Sequence, residues 1–249
     1  MAHNSYGLIN DNIWIGIPKV ATSTLYALFN VEGIDRKYFN ENTDVLQREK
    51  DKQLRDIWCI WRHPWKRWVS AILQDYEIKL HMGTVNNGVK VQRDLEQKDL
   101  DYIISDLNLH WSFGYNNIKN HRYPHSNIQL ARYIFLLWKL SQERFLVPNI
   151  TICDVSQMDR AVEKYAGVKF KKINFNKTNK SNLEKLDQTL KSSVFYSKWC
   201  EQYKEDLILH NIVNGNICKL HEIQWINTIT ASHSTRHYTF YKRLARTFT

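Results

Sequence analysis

The stretch IWIGIPKVATSTLYALF, Ile13 to Phe29, constrains the fold more than any other part of the chain. An apolar run ending in Gly-Ile-Pro suits a buried strand, and Leu25, Leu28 and Phe29 follow it at helical spacing. Strand, tight turn and helix in that order present backbone N–H groups and a helix N-terminus to an anion. Thr22, Ser23 or Thr24 is expected to cap the helix or lie in its first turn.

Two further apolar runs read as strands. RDIWCIWR, Arg55 to Arg62, breaks at His63-Pro64, and Pro64 then suits the first turn of a helix over about 65–79. NITICDV, Asn149 to Val155, is the third, followed by a helix that ends at Gly167. Leu100, Ile103, Ile104 and Leu107 mark an amphipathic helix, IQLARYIFLLWKL reads as helix, and the segment from Leu183 to Asn211 as one or two further helices. Residues 81–93 look like loop. Strands separated by helices, with no repeat and no Pro/Ser-rich linker, imply one α/β domain over 1–249, a mainly parallel central sheet flanked by helices in three layers. The right-handed crossover rule puts the first turn at the carboxyl edge of that sheet, where ligands bind.

GIPKVATS, Gly16 to Ser23, has the length of the nucleotide-triphosphate loop GxxxxGKS/T. Ala21 stands where its second glycine belongs and Thr22 where its lysine belongs. A kinase needs that lysine on the terminal phosphates and the following hydroxyl on magnesium. Here Lys19 projects from mid-turn, while backbone N–H groups and the hydroxyls of Thr22, Ser23 and Thr24 still suit an oxyanion. The loop keeps an anion cradle and loses the triphosphate–magnesium arrangement. A plainer reading is a capped helix after a strand, with Lys19 on the surface.

IWCIWRHPWKRWVSAILQDY, Ile57 to Tyr76, puts Arg62 at a strand's end and Ser70 eight residues on, two turns into the next helix. Both can converge on one terminal phosphate. The plainer reading is a strand–helix unit with a basic face, Lys66 and Arg67. The two segments in this order, about 45 residues apart, are far more specific than either alone.

IPKVATSTL followed by RHPWKRWVSAILQDY resembles the paired cofactor motifs of the sulfotransferases that use 3′-phosphoadenosine 5′-phosphosulfate (PAPS). The closest branch is that of the carbohydrate sulfotransferases, with their PKxxxT/S loop and RxPxxRxVSAY segment. The resemblance implies a P-loop-like three-layer fold. It implies that Lys19, Val20, Ala21, Thr22, Ser23 and Thr24 hold the 5′-phosphosulfate and that Arg62 and Ser70 hold the 3′-phosphate. HRYPHS, His121 to Ser126, is similar to the family's HWxPQS segment, with His125 in place of glutamine. NKTNKSN (Asn176 to Asn182) and YKEDLIL (Tyr203 to Leu209) resemble its N-K-S stretch and its Y-x-x-D-x-x-L helix. The similarity covers about 13–209, strongly only in the first two motifs, and leaves 212–249 unassigned.

Sulfuryl transfer builds charge on the oxygen bridging sulfur and the 5′-phosphate. A cation there lowers the barrier, which gives Lys19 a catalytic reason to sit mid-loop, and magnesium is not required. The acceptor hydroxyl needs a base within hydrogen-bond reach. His121 is the first candidate, then His110 in LNLHWSF, then Glu77. The chain has 9 Trp, 13 Tyr and 10 Phe, which could supply an adenine stack and a sugar platform. Trp14, Trp58 and Trp61 lie in strands and read as packing.

A net charge of +10 favours an anionic partner, which a phosphorylated nucleotide satisfies. The alternatives are a P-loop small-metabolite kinase, opposed by the lost GKS/T and by no clear Walker B aspartate, and a basic nucleic-acid-binding protein using the RHYTFYKRLARTFT tail. The four cysteines are scattered without CxxC or Cys/His ligand spacing, which points away from zinc. Cys59 and Cys153 lie in apolar runs and read as reduced core residues. The longest apolar run, YIFLLW, is too short to span a bilayer, and MAHNSYGLINDN has no signal character. These features suggest a cytoplasmic enzyme with a hydroxyl-bearing acceptor, a glycan or other small molecule.

Overall fold

The computed structural model describes residues 5–17, 19–33, 36–38, 56–81, 94–110, 150–170 and 179–219. Of the expected loop over 81–93, His81 is helical and the rest lies outside them, as do the helix from Ile128, HRYPHS and the basic aromatic tail. Two compact units divide the chain. A sheet unit comprises Ala2–His63, Gln129–Phe175 and Glu205–Thr249, and a helical unit comprises Met1, Pro64–Ile128 and Asn176–Lys204.

In the sheet unit, β1 (Ser5–Ile9) and β2 (Asn12–Gly16) form a hairpin, with Ile9 opposite Asn12. Its two turn residues, Asn10 and Asp11, have φ of 48° and 63°. Positive φ at both positions matches the right-handed twist of the strands, and Asn and Asp tolerate it better than most residues. After β2 come α1 (Thr22–Val31), β3 (Arg36–Tyr38) and β4 (Ile57–Trp61). Then follow β5 (Ile150–Asp154), a 3₁₀ turn (Val155–Gln157), α4 (Met158–Ala166) and, at the end, β6 (Ile217–Lys219).

The six strands lie in the order β3-β1-β2-β4-β5-β6. Their centre is parallel: Ile13 pairs with Ile57 and Cys59 with Ile152. Every residue of β2, β4 and β5 is buried, as expected for strands covered on both faces. The borders are antiparallel, through β1 and β3 on one side and β6 on the other. The α/β architecture thus agrees with the sequence, and the antiparallel borders are additions to it.

Helices pack on the sheet through aromatic rings. Trp14 meets Tyr26 and Phe29 of α1 edge-on at 5.3 and 5.2 Å between centroids. Trp58, its neighbour in register, stacks on Tyr165 of α4 at 5.5 Å. Such pairs add about 0.5–1.5 kcal/mol each beyond simple burial. The Tyr165 hydroxyl also reaches Thr151 Oγ1 at 3.3 Å, so α1 and α4 share one sheet face. The end of α4 is held by the hairpin: Asn10 Nδ2 donates to the Ala166 carbonyl at 2.8 Å and Asn12 Nδ2 to the Tyr165 carbonyl at 3.0 Å. These are carbonyls that a helix end leaves without intrahelical partners. Gly167 follows in the left-handed conformation (φ 70°), the expected stop signal.

The helical unit contains α2 (Pro64–His81), α3 (Gln97–His110), α5 (Lys180–Lys191) and α6 (Val194–Gln202). The last helix, α7 (Lys204–Val213), begins at its border and belongs to the sheet unit from Glu205 onward. The predicted one or two helices after Leu183 are therefore three. They are interrupted at Ser193, whose Oγ caps the Phe195 N–H at 3.3 Å, and at Tyr203. Trp65 donates to Asp187 Oδ1, Tyr76 to Asp99 Oδ1 at 2.8 Å, and Leu95 N–H to Asn182 Oδ1 at 2.7 Å. Asn179, in the NKTNKSN stretch, caps α5 by accepting from Ser181 N–H at 3.0 Å.

Candidate functional site

Parallel strands bring their carboxyl ends to one sheet edge. At that edge β2 leads into the turn before α1. Ile17 and Val20 anchor the turn, each 2% exposed. Lys19 and Ala21 adopt left-handed φ of 65° and 61°. For side-chain-bearing residues that conformation costs on the order of 1–2 kcal/mol each, which the two buried anchors offset. Turns of this kind point successive N–H groups into an anion-binding concavity.

Thr22, Ser23 and Thr24 take the second of their two expected places, the first turn of α1, and none of them caps it. Ala21 is the N-cap of α1, without a side-chain capping bond, and its carbonyl accepts from Thr24 N–H at 3.0 Å and Leu25 N–H at 3.1 Å. Thr22 lies in the first turn and its hydroxyl donates back to the Ile17 carbonyl. That bond closes the loop and engages the one proton the hydroxyl could offer a phosphate. Ser23 is exposed and Thr24 half-exposed.

Next to β2, β4 ends at Trp61, and Arg62 is the first residue beyond it. The Arg62 guanidinium is half-buried, and this burial lowers its pKa from the ordinary arginine value without discharging it. No carboxylate among the described residues pairs with it. A partly desolvated guanidinium of this kind favours an incoming anion more strongly than one in open water.

Ser70 lies on α2 at 3% exposure. It belongs to the helical unit and Arg62 to the sheet unit. The basic face read on α2 is half of what the sequence suggested. Lys66 is exposed, but Arg67 is fully buried, at 0%, inside a helix whose unit also buries Asp75, Asp99 and Asp106. Of the candidate bases, His121 lies outside the described residues, His110 is the last residue of α3 and its side chain lies outside them, and Glu77 is half-buried on α2.

Trp14, Trp58 and Trp61 are packing residues, each at most 1% exposed. Cys59 and Cys153 are reduced core thiols, as expected. Burial pushes the Cys59 thiol far above the usual range and the Cys153 thiol to about 12. Among the described residues, no group of three or more His, Cys, Asp or Glu side chains is arranged to hold a metal, and no helix is long and apolar enough to cross a membrane.

Three residues at the carboxyl edge escaped the sequence reading. His63 follows Arg62, and its ring meets that of His210 on α7. Asp154 ends β5 at 5% exposure and its Oδ1 accepts from both Ser156 N–H (2.9 Å) and Ser156 Oγ (2.6 Å). The only sequence signal for Asp154 was its place at the end of an apolar run. No protein-family model, curated protein or solved structure matches this chain.

Proposed function

We propose that this chain is a PAPS-dependent sulfotransferase with a P-loop-like fold, acting on an acceptor hydroxyl of a carbohydrate or other small molecule. The observation that carries the reading is the pairing of two cationic strand ends. The Lys19 turn leaves β2 and Arg62 leaves β4, and these strands are parallel neighbours. Adjacent strands lie about 4.8 Å apart, so both cations serve one sheet edge. The basic charge of the chain, +10, fits a multiply anionic nucleotide.

In this reading, the N–H groups of the Lys19–Thr24 segment hold the 5′-phosphosulfate and Arg62 grips the 3′-phosphate through its fork of donors. Ser70 is assigned to that phosphate by the resemblance alone. Bound PAPS supplies the sulfuryl group and a 5′-phosphate leaving group. Lys19 places its ammonium where charge develops, and because the left-handed turn fixes its backbone, little reorganisation is needed. A base takes the acceptor's proton, with His121 and His110 as candidates. A cytoplasmic location belongs to the same proposal.

Asp154 gives the kinase alternative one observation in its favour, since a carboxylate at the end of a central parallel strand suits magnesium. Its Oδ1 is already engaged by Ser156, however, and the loop still has Thr22 where a kinase needs lysine. Thermal shift separates the readings. Adenosine 3′,5′-bisphosphate (PAP) is expected to raise the melting temperature, and ATP–magnesium and single-stranded DNA are not. No response to PAP would overturn the proposal.

A further inference from the structure

We propose that His63, positioned by His210, is a second ligand of the phosphate that Arg62 receives. The assignment rests on the donor reading above for the identity of the nucleotide, but its geometry is independent of it. Arg62 and His63 are the first two residues beyond β4, at the edge where the Lys19 turn also lies. The His63 ring is half-buried, and its centroid is 4.6 Å from that of His210, with the planes tilted by 55°. His210 is 9% exposed on α7, one turn after Asp206, which is 1% exposed.

A histidine at a strand end would ordinarily sample several rotamers. Contact with a ring fixed on a buried helix face removes most of them before any ligand arrives, and lowers the entropy cost of binding. The chemistry is complementary to that of Arg62. A guanidinium fork engages two oxygens of a phosphate monoester and leaves a third, which an imidazole N–H can take. The ligand class is therefore a terminal phosphate monoester. His63 contacts it, and His210 acts through His63.

The test uses the full chain, with PAP and inorganic phosphate as separate probes. Binding is measured by calorimetry, and the imidazole signals are followed by NMR, with His63 assigned from their loss in His63→Gln. Both probes are expected to move the His63 signals. His63→Ala should weaken PAP binding about 10-fold, the size of one hydrogen bond to a charged group, and His63→Gln should recover part of it. His210→Ala should weaken PAP to the same extent, with no further loss in the double variant, because both act through one contact. His210→Phe, which restores a ring, should recover binding relative to His210→Ala. Unmoved His63 signals, with His63→Ala binding PAP like the parent, would overturn the inference. The donor reading would then survive if Arg62→Ala still lost PAP. If phosphate moves the His63 signals but PAP binds no tighter than phosphate, the inference stands and the donor reading falls.

Discussion

The Thr22 hydroxyl donates to the Ile17 carbonyl across the turn that carries Lys19. The bond ties the first turn of α1 to the end of β2, so the loop is closed from within before any ligand binds. Thr22→Ser should keep it. Thr22→Val should lose about 1 kcal/mol of stability in chemical denaturation, the usual worth of one hydrogen bond, and weaken PAP binding through a looser loop. A Val variant as stable as the parent would show that the bond contributes nothing.

Ala21 is the clearest place to test backbone strain, because its φ is 61° and it caps α1 without help from a side chain. Glycine removes a left-handed penalty of about 1–2 kcal/mol but costs about 0.5–1 kcal/mol in unfolded-chain entropy. Ala21→Gly should therefore be more stable by about 0.5 kcal/mol, and Ala21→Val less stable than the parent. Thermal melts of the three proteins read the order directly.

Asn12 is 7% exposed, and its Nδ2 donates to the Tyr165 carbonyl at 3.0 Å and to the Asn10 carbonyl at 3.1 Å. Asn12→Ala leaves a buried helix-end carbonyl short of a partner, which should cost about 1–3 kcal/mol in urea unfolding. Gly167→Ala should also destabilise. Its Cβ would lie 2.6 Å from Asn10 Nδ2, and its φ is 70°.

How much of this was legible in sequence differs from element to element. β2, β4 and β5 are near-continuous apolar runs because both faces are buried, and that pattern is readable without a structure. β3 and β6 have three residues each, too few to show a period, and β1 pairs through a turn of Asn10-Asp11 that carries no glycine. At the candidate site, Lys19 and Arg62 stood out because strand ends and a displaced lysine leave marks in the chain. His63 and His210 did not, because their contact joins residues far apart in sequence. The basic face that the plainer reading gave Lys66 and Arg67 keeps only Lys66, since a buried arginine and an exposed one look alike in a helical pattern.

Cys153 makes a pH-dependent prediction. Its thiol pKa is raised to about 12 by burial, above its ordinary value of 9.0. The folded protein holds that proton more tightly than the unfolded chain. The resulting stability is fully present below about pH 8.5–9 and is lost as pH rises toward the folded value. Unfolding free energy should therefore fall above pH 9 in the parent and fall less steeply in Cys153→Ala. In the native state at neutral pH, thiol reagents should leave Cys153 and Cys59 unmodified, because a buried thiol is neither accessible nor ionised.

In the proposed sulfotransferase, Lys19 and Arg62 serve one bound nucleotide in different roles. The direct measurement is PAP affinity by calorimetry alongside sulfate transfer from labelled PAPS to a panel of hydroxyl acceptors, for the parent, Lys19→Ala and Arg62→Ala. Lys19→Ala should keep measurable PAP binding and lose transfer by about 100-fold or more, as when a transition-state cation is removed. Arg62→Ala should weaken PAP itself by about 10-fold or more, as when a charged hydrogen-bonding partner is lost. Two variants that bind PAP like the parent, or a parent that does not bind PAP, would contradict the account.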